Sequence, residues 1–342
     1  MKFLTQKVPN YFLIIALILG AFVSYALTKN QHSNGDEETL PTTTSVNNFS
    51  SSCNINISRL AGRKFIKPLL YAEKSCEAES FTSLKGSINN IIGELKSKGE
   101  MNTASVYVRL FGKAEWLSIN DETKYQPGSL FKVPLLITYL RLEEKAPGVL
   151  QKKLTFNNIT AEAKQFKQEF MKNQIQQGQS YTVKELLKYM IMHSDNNATM
   201  LLFNDIPTSE FEKTFTDLGL DKNMTKSEGV VSAKEYSRFW ITLYNGSYLN
   251  FDNSEYALSL LSQSDFDQGM MKGIPKNIMV AHKFGEKGNT TSHCLHETGI
   301  VYAGTIPYLV TIMTEGNNQS TLADCLQKIS STIYTNIEGF TK

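Results

Sequence analysis

Tyr125-Gln126-Pro127-Gly128-Ser129-Leu130-Phe131-Lys132-Val133-Pro134 decides the reading of this 342-residue chain. Pro127-Gly128 marks a helix start and puts Ser129 on the first turn. There the unpaired N–H groups and the positive end of the helix dipole favour developing negative charge. Lys132 follows one turn along the same face, within reach of the Ser129 hydroxyl. A serine hydroxyl is a weak nucleophile until a base takes its proton, and a lysine at this spacing can be that base. Ser-x-x-Lys alone is common on solvated helix faces. Two further signatures follow in order, Ser194-Asp195-Asn196 and Lys283-Phe284-Gly285. By itself the first reads as a polar turn and helix cap, and the lysine of the second as a solvated strand charge. Three in sequence, each in a fitting local context, point to one active site.

Upstream of this stretch, Ser83 to Ser97 carries Ile88, Ile91, Ile92 and Leu95 as one helical stripe. Two strand-like runs, Ala104 to Phe111 and Ala114 to Asn120, are joined by a hairpin turn at Gly112-Lys113. Downstream the pattern is mostly helical from Ser129 to about Leu261, clearest at Lys184 to His193 and Ala233 to Tyr244. Strand patterns return at Ile278 to Phe284, Gly299 to Ala303 and Tyr308 to Met313, before a last helix from about Leu322 to Thr335. Strands and a helix at both ends, with helices between, predict an α+β fold: an antiparallel sheet flanked by helices with an inserted helical subdomain. The helix at Ser129 then packs at the seam. Ser194-Asp195-Asn196 faces the resulting cleft from the helical side, and Lys283 to Glu286 lines it as an edge strand.

The three motifs resemble those of the penicillin-recognising serine hydrolases, and among them the class A β-lactamase-like proteins. The likeness runs from about Ile88 to the C-terminus. It is densest at Tyr125 to Pro134, at Met192-His193-Ser194-Asp195-Asn196-Asn197-Ala198 and at Val280-Ala281-His282-Lys283-Phe284-Gly285-Glu286. It implies a β-lactamase/transpeptidase-like fold and a serine hydrolase, without metal or organic cofactor, that cleaves a β-lactam-type amide through an acyl-enzyme. Ser129 is then the nucleophile and Lys132 the general base, its pKa lowered by the neighbouring cation Lys283 and by partial desolvation. Ser194 relays a proton toward the leaving nitrogen, Asn196 hydrogen-bonds the substrate's amide side chain, and Asp195 holds its loop. Lys283, Gly285 and Glu286 bind substrate along the edge strand. The backbone N–H groups of Ser129 and Glu286 form the oxyanion hole. A peptidoglycan D,D-peptidase or esterase, and a slowly deacylating penicillin-binding sensor, stay open beside this reading.

Three departures from that family's pattern carry expectations of their own. The stretch between Asn196 and Lys283 is shortened and holds no match to the Glu-containing loop that activates deacylating water in class A enzymes; Glu210, Glu212 and Glu228 are the nearby acids. Phe284 replaces the usual Thr or Ser hydroxyl between Lys and Gly. Thr298, just before Gly299, stands where those enzymes commonly carry a carboxylate-binding Arg. The last two losses predict weaker binding of a β-lactam carboxylate. The first predicts slow release.

Farther out, Lys2 and Lys7 precede Tyr11 to Leu27, a run of 17 residues without a charge. Its length is near the lower limit for a bilayer-spanning helix. Ser24-Tyr25-Ala26 would serve as a cleavage site, so residues 1–27 are expected to be a retained anchor, favoured on length, or a removed signal peptide. Either way the rest of the chain is exported. Residues 28–52, rich in Thr, Ser, Asn and acids, are expected to be a flexible linker, leaving 53–342 as the hydrolase domain. Four cysteines fit an exported protein. Cys53 and Cys76 are a candidate bridge, while Cys294 and Cys325 could pair or simply be buried. A net charge of +2, from 35 Lys and Arg against 33 Asp and Glu, leaves no basic footprint for nucleic acid. The expected partners are a small-molecule or peptidoglycan-derived substrate, and a membrane reached through the N-terminal segment. His282, His293, Cys294 and His296 match no zinc spacing.

Overall fold

The computed structural model describes residues 53–157, 169–170, 172–226, 228–288 and 293–341. They fall in one compact unit, Cys53–Lys342. The expected anchor or signal at 1–27 and the linker at 28–52 lie outside the described residues. Among the described residues no helix is long and apolar enough to cross a membrane.

The domain opens with a hairpin of β1 (Ile55–Arg59) and β2 (Leu69–Lys74), then α1 (Thr82–Ser97), β3 (Thr103–Leu110), β4 (Glu115–Ile119) and the two-residue β5 (Lys124–Tyr125). A helical half follows: α2 (Lys132–Lys145), the short pair β6 (Lys153–Thr155) and β7 (Ser180–Thr182), then α3 (Val183–Met192), α4 (Asn196–Asp205), α5 (Thr208–Asp217), β8 (Val231–Ser232), α6 (Ala233–Tyr244) and α7 (Phe251–Leu261). The chain returns through β9 (Val280–Gly288), β10 (His293–Val301) and β11 (Tyr308–Gly316) to α8 (Gln319–Thr341). The main sheet is antiparallel in the order β4-β3-β11-β10-β9, so the two ends of the domain meet at β3–β11 and β9 is an edge. This is the α+β arrangement expected from the sequence.

Period-two alternation makes the sheet a middle layer. Ala104, Val106, Val108 and Leu110 face one core with the Leu84–Ile88–Ile92–Leu95 stripe of α1 and with Leu322, Leu326, Ile329 and Ile333 of α8. Tyr107, Ala281, Ile300, Leu309 and Met313 face the other, with α2, α3 and α6. Capping boxes start α3 at Thr182/Glu185 and α6 at Ser232/Glu235, each satisfying two otherwise unpaired backbone donors.

The structure also departs from the sequence pattern. β10 begins at His293 instead of near Gly299 because its first half is polar and yet buried, so no apolar alternation marks it. His296, Glu297 and Thr298 are each fully buried there. The short pairs β5–β8 and β6–β7 interrupt the stretch read as mostly helical, being too short to show a period. Cys53 and Cys76 form the disulfide, with Cα atoms 5.5 Å apart, and Cys294 and Cys325 are free.

Two glycines record how β9 lies against the turn that carries Ser129. Gly128 has φ +53, and a Cβ there would meet the Glu286 carbonyl oxygen at 2.6 Å. A Cβ on Gly285 would meet Pro127 O at 2.5 Å and Leu130 N at 2.9 Å. Both contacts are with backbone, which cannot rotate aside. Gly285→Ala is therefore expected to destabilise the domain by about 1–3 kcal/mol through overpacking, measured by denaturant unfolding. An unchanged midpoint would show that strand and turn can separate freely.

Candidate active site

Ser129 does not sit on an α-helix proper. Residues Gly128–Phe131 form a tight 3-10 turn that runs directly into α2. The turn is fixed on several sides. The Tyr236 hydroxyl donates to Leu130 O at 2.8 Å, and Leu130 N donates to Pro127 O at 3.1 Å. His296 lies 3.1 Å from Gln126 O through Nε2, and its Nδ1 accepts the N–H of Thr314. Because Nδ1 accepts, Nε2 must carry the proton and donate. Burial pushes this imidazole down to about 4, so it stays neutral at ordinary pH.

The turn, the α3–α4 loop and β9 bring five predicted residues together. Lys132 Nζ lies 2.8 Å from Ser129 Oγ, 2.7 Å from Ser194 O, 3.0 Å from Ser194 Oγ and 2.8 Å from Asn196 Oδ1. Lys283 Nζ lies 2.9 Å from the same Ser194 Oγ and 3.0 Å from Phe284 O. Ser129 keeps 7% of its surface, whereas Lys132 keeps 2% and Lys283 none.

Burial, and then the Lys283 charge, hold Lys132 well below the usual lysine range; Asp195 and Glu286 pull the other way. Burial likewise brings Lys283 down to about 7. A neutral Lys132 has two N–H donors and one lone pair. Ser194 O and Asn196 Oδ1 can only accept, so they take both hydrogens. The lone pair is then left to the hydroxyls of Ser129 and Ser194. This is the arrangement a general base needs.

Ser194 reaches both amines because its backbone is left-handed, with φ +56. A non-glycine residue there costs about 1–3 kcal/mol, sustained by its surroundings. Asp195 supplies that support. It is fully buried, caps α4 by accepting from Asn197 N and Ala198 N, and takes the Ile175 N–H at 2.6 Å. His193 closes the end of α3 through Nδ1, 2.8 Å from Asp265 Oδ2.

Gly285 and Glu286 lie where the pattern expected, on the edge strand beside the turn. The Glu286 side chain does something the pattern did not signal. Its carboxylate accepts the N–H of Glu169 at 3.1 Å and of Phe170 at 3.4 Å, tying that segment to β9. Burial raises its pKa, which those two N–H groups and Lys283 partly offset.

Phe284 is no simple loss of a hydroxyl. Its ring stacks on Phe266 at 4.1 Å, meets Phe170 edge-on at 6.2 Å, and lies 4.0 Å from Lys283 Nζ. It fills a core and shields a cation. Thr298 sits across the ladder from Lys283, fully buried, and so presents no surface to a substrate. Of the four residues weighed against a metal site, His282 pairs with Glu297 at 2.8 Å and His296 holds Gln126.

A family model described as the beta-lactamase enzyme family matches residues 83–337. The fold is similar to that of PBP-A, at 18% identity and TM-score 0.62, covering 75% of this chain and 97% of that one. It is also similar to a beta-lactamase from Xanthomonas campestris pv. campestris, at 16% identity and TM-score 0.62, covering 74% and 98% of the two chains. A class A beta-lactamase from Mycobacterium abscessus gives 16% identity and TM-score 0.60, with 72% and 99% covered. No curated protein matches the chain significantly.

Two outcomes follow from these contacts. Phe284→Thr removes a buried ring, so it is expected to cost about 3 kcal/mol in denaturant unfolding and to raise the Lys283 pKa by admitting water. The second concerns pH. His296 titrates near 6.5 when unfolded and about 4 when folded, so its stabilising contribution is present above pH 6.5 and is lost as pH falls toward 4. About 3 kcal/mol should disappear across that window. A His296→Gln variant should show a correspondingly flatter stability profile.

Proposed function

The chain belongs to the beta-lactamase enzyme family and is a serine hydrolase of that fold, and on this premise we propose that it opens a β-lactam-type amide bond through an acyl-enzyme on Ser129. The observation that carries this reading is the buried Lys132 amine, 2.8 Å from Ser129 Oγ with its pKa driven down. Ser129 Oγ attacks the carbonyl carbon while its proton passes to Lys132 Nζ. The backbone N–H groups of Ser129 and Glu286 receive the oxyanion. The C–N bond then breaks, and the leaving nitrogen takes a proton through Ser194 Oγ, which both amines touch. Asn196 orients the substrate's amide side chain, and Lys283 and Gly285 bind it along β9. Water cleaves the ester, releasing the acid product and restoring Ser129.

The Cys53–Cys76 bridge supports an oxidising, extracytoplasmic compartment, with Tyr11 to Leu27 as the segment that takes the chain there. The partners in this reading are a small-molecule or peptidoglycan-derived substrate and the membrane.

The surrounding acids bear on turnover. Among the described residues, the carboxylates acting on Lys132 are Asp195 and Glu286. Both already accept backbone N–H groups. Glu210 pairs with Lys145, and Glu228 accepts from Gln126. These engagements favour slow deacylation, and with it the penicillin-binding mode of this same chemistry. A mutant of PBP-A is known as an acyl-enzyme complex with penicillin G.

Mixing the protein with a penicillin should therefore give a burst of acylation followed by slow steady-state hydrolysis. Intact-mass spectrometry should find the adduct on Ser129 and none in Ser129→Ala. Lys132→Ala should slow acylation by about 10²–10⁴. Rapid turnover with no accumulated adduct would overturn the turnover assignment, and an adduct surviving in Ser129→Ala would overturn the nucleophile.

A further inference from the structure

The β1–β2 hairpin presents apolar side chains that remain exposed among the described residues. Ile55, Ile57, Phe65, Ile66 and Leu69 are five of the eight large apolar side chains exposed among the described residues, and Phe65 reaches 88% exposure. They are grouped by geometry as well as by sequence. Ile55 and Ile57 alternate onto one side of β1; the register shifts between Ser58 and Arg59, and Arg59 lies opposite Leu69. Phe65 and Ile66 occupy the loop between the strands. Exposed apolar clusters of this kind mark interaction surfaces.

From Cys53 to Ala72 the charges are all of one sign, and Glu73, near the end of β2, is half-buried and accepts from the Tyr107 hydroxyl. Arg59, Arg63, Lys64 and Lys67 lie within that stretch, and no acidic residue occurs between Cys53 and Ala72. Across the whole chain, by contrast, 35 basic residues nearly balance 33 acidic ones. Aliphatic and aromatic side chains interleaved with cations suit the boundary between acyl chains and anionic headgroups. Long basic side chains can lie along the apolar layer with their charged ends in the headgroup region.

The surface is also held in place. Arg109 donates to Ala72 O at 2.6 Å, Trp116 to Lys74 O at 2.8 Å, and Ser247 to Leu70 O at 2.7 Å. Cys53–Cys76 closes the hairpin's base. Leu70 and Tyr71 of β2 are both packed into the core, whereas Leu69 is exposed. Among the described residues the hairpin is the first element, and in sequence it follows Tyr11 to Leu27, the run expected to enter a membrane.

We propose that the β1–β2 hairpin and its loop form a membrane-contact surface that seats on a bilayer containing anionic phospholipid. Phe65 and Ile66 enter the headgroup–acyl boundary, and Arg63, Lys64 and Lys67 meet lipid phosphates.

The test uses the full chain carrying Phe65→Trp, because the native Trp116 and Trp240 are buried and give a constant background. Vesicles are made of phosphatidylcholine alone or with phosphatidylglycerol, each doped with lipid brominated near the headgroup. The emission of the new tryptophan should shift to the blue and be quenched in the phosphatidylglycerol vesicles. Adding Arg63→Glu and Lys64→Glu should weaken that quenching roughly tenfold or more, and raised salt should weaken it too. Acylation by a labelled penicillin should be unchanged in the charge-reversed variant. Three results would overturn the proposal: solvent-like emission in every vesicle, a blue shift that grows with protein concentration without lipid, or equal protection by a soluble polyanion. The second would identify a self-association face and the third a general polyanion site.

Discussion

Two lysine side chains buried side by side, with one serine hydroxyl between them, set the terms for the rest of the structure. Burial and the Lys283 charge draw the Lys132 pKa well below the usual lysine range, and burial lowers that of Lys283, against the pull of the nearby carboxylates. The surroundings enforce this. Lys132 is enclosed by Ser194, Asn196 and the 3-10 turn, while Lys283 is enclosed by β9 and the Phe284 ring. Three separate parts of the chain must therefore meet within hydrogen-bond distance of one another. The glycines at 128 and 285, the left-handed Ser194 and the buried Asp195 are all means of achieving that meeting.

Much of this was legible in the sequence, because the residues concerned sit in short, local and chemically distinctive patterns. The Pro127-Gly128-Ser129 turn, the capped loop at Asp195 and the strand at Lys283 each show their nature within a few positions. The end-to-end layout of the fold followed from helical stripes and hairpin signals. What could not be read depends on contacts across the fold. β10 was cut short because His296, Glu297 and Thr298 look like loop residues until their buried surroundings are supplied by β9, β11 and the segment at Met270. Phe284 read as a missing hydroxyl because its partners, Phe266 and Phe170, are distant in sequence. The Glu286 carboxylate gave no signal, since its role is to hold the backbone of Glu169 and Phe170.

The carboxylates near the site illustrate how burial assigns function. Asp195 and Glu286 are close enough to influence Lys132, yet both have their oxygens occupied by backbone donors. Burial raises both carboxyl pKa values, which those backbone donors partly offset, while their charge favours the ammonium form of Lys132.

The joining of β3 to β11 has a consequence for how the molecule comes into being. Val106 pairs with Ile312, so the central ladder closes between segments roughly two hundred residues apart in the chain. Such a pairing must wait until nearly the whole polypeptide is available, and closing so long a loop is slow. Until β11 arrives, β3 and β4 form a hairpin without a neighbour, and β9 has no strand to bring it against the turn at Ser129. A chain still lacking β11 therefore has no continuous sheet from β3 to β9. Its reactive centre is assembled among the last steps of folding.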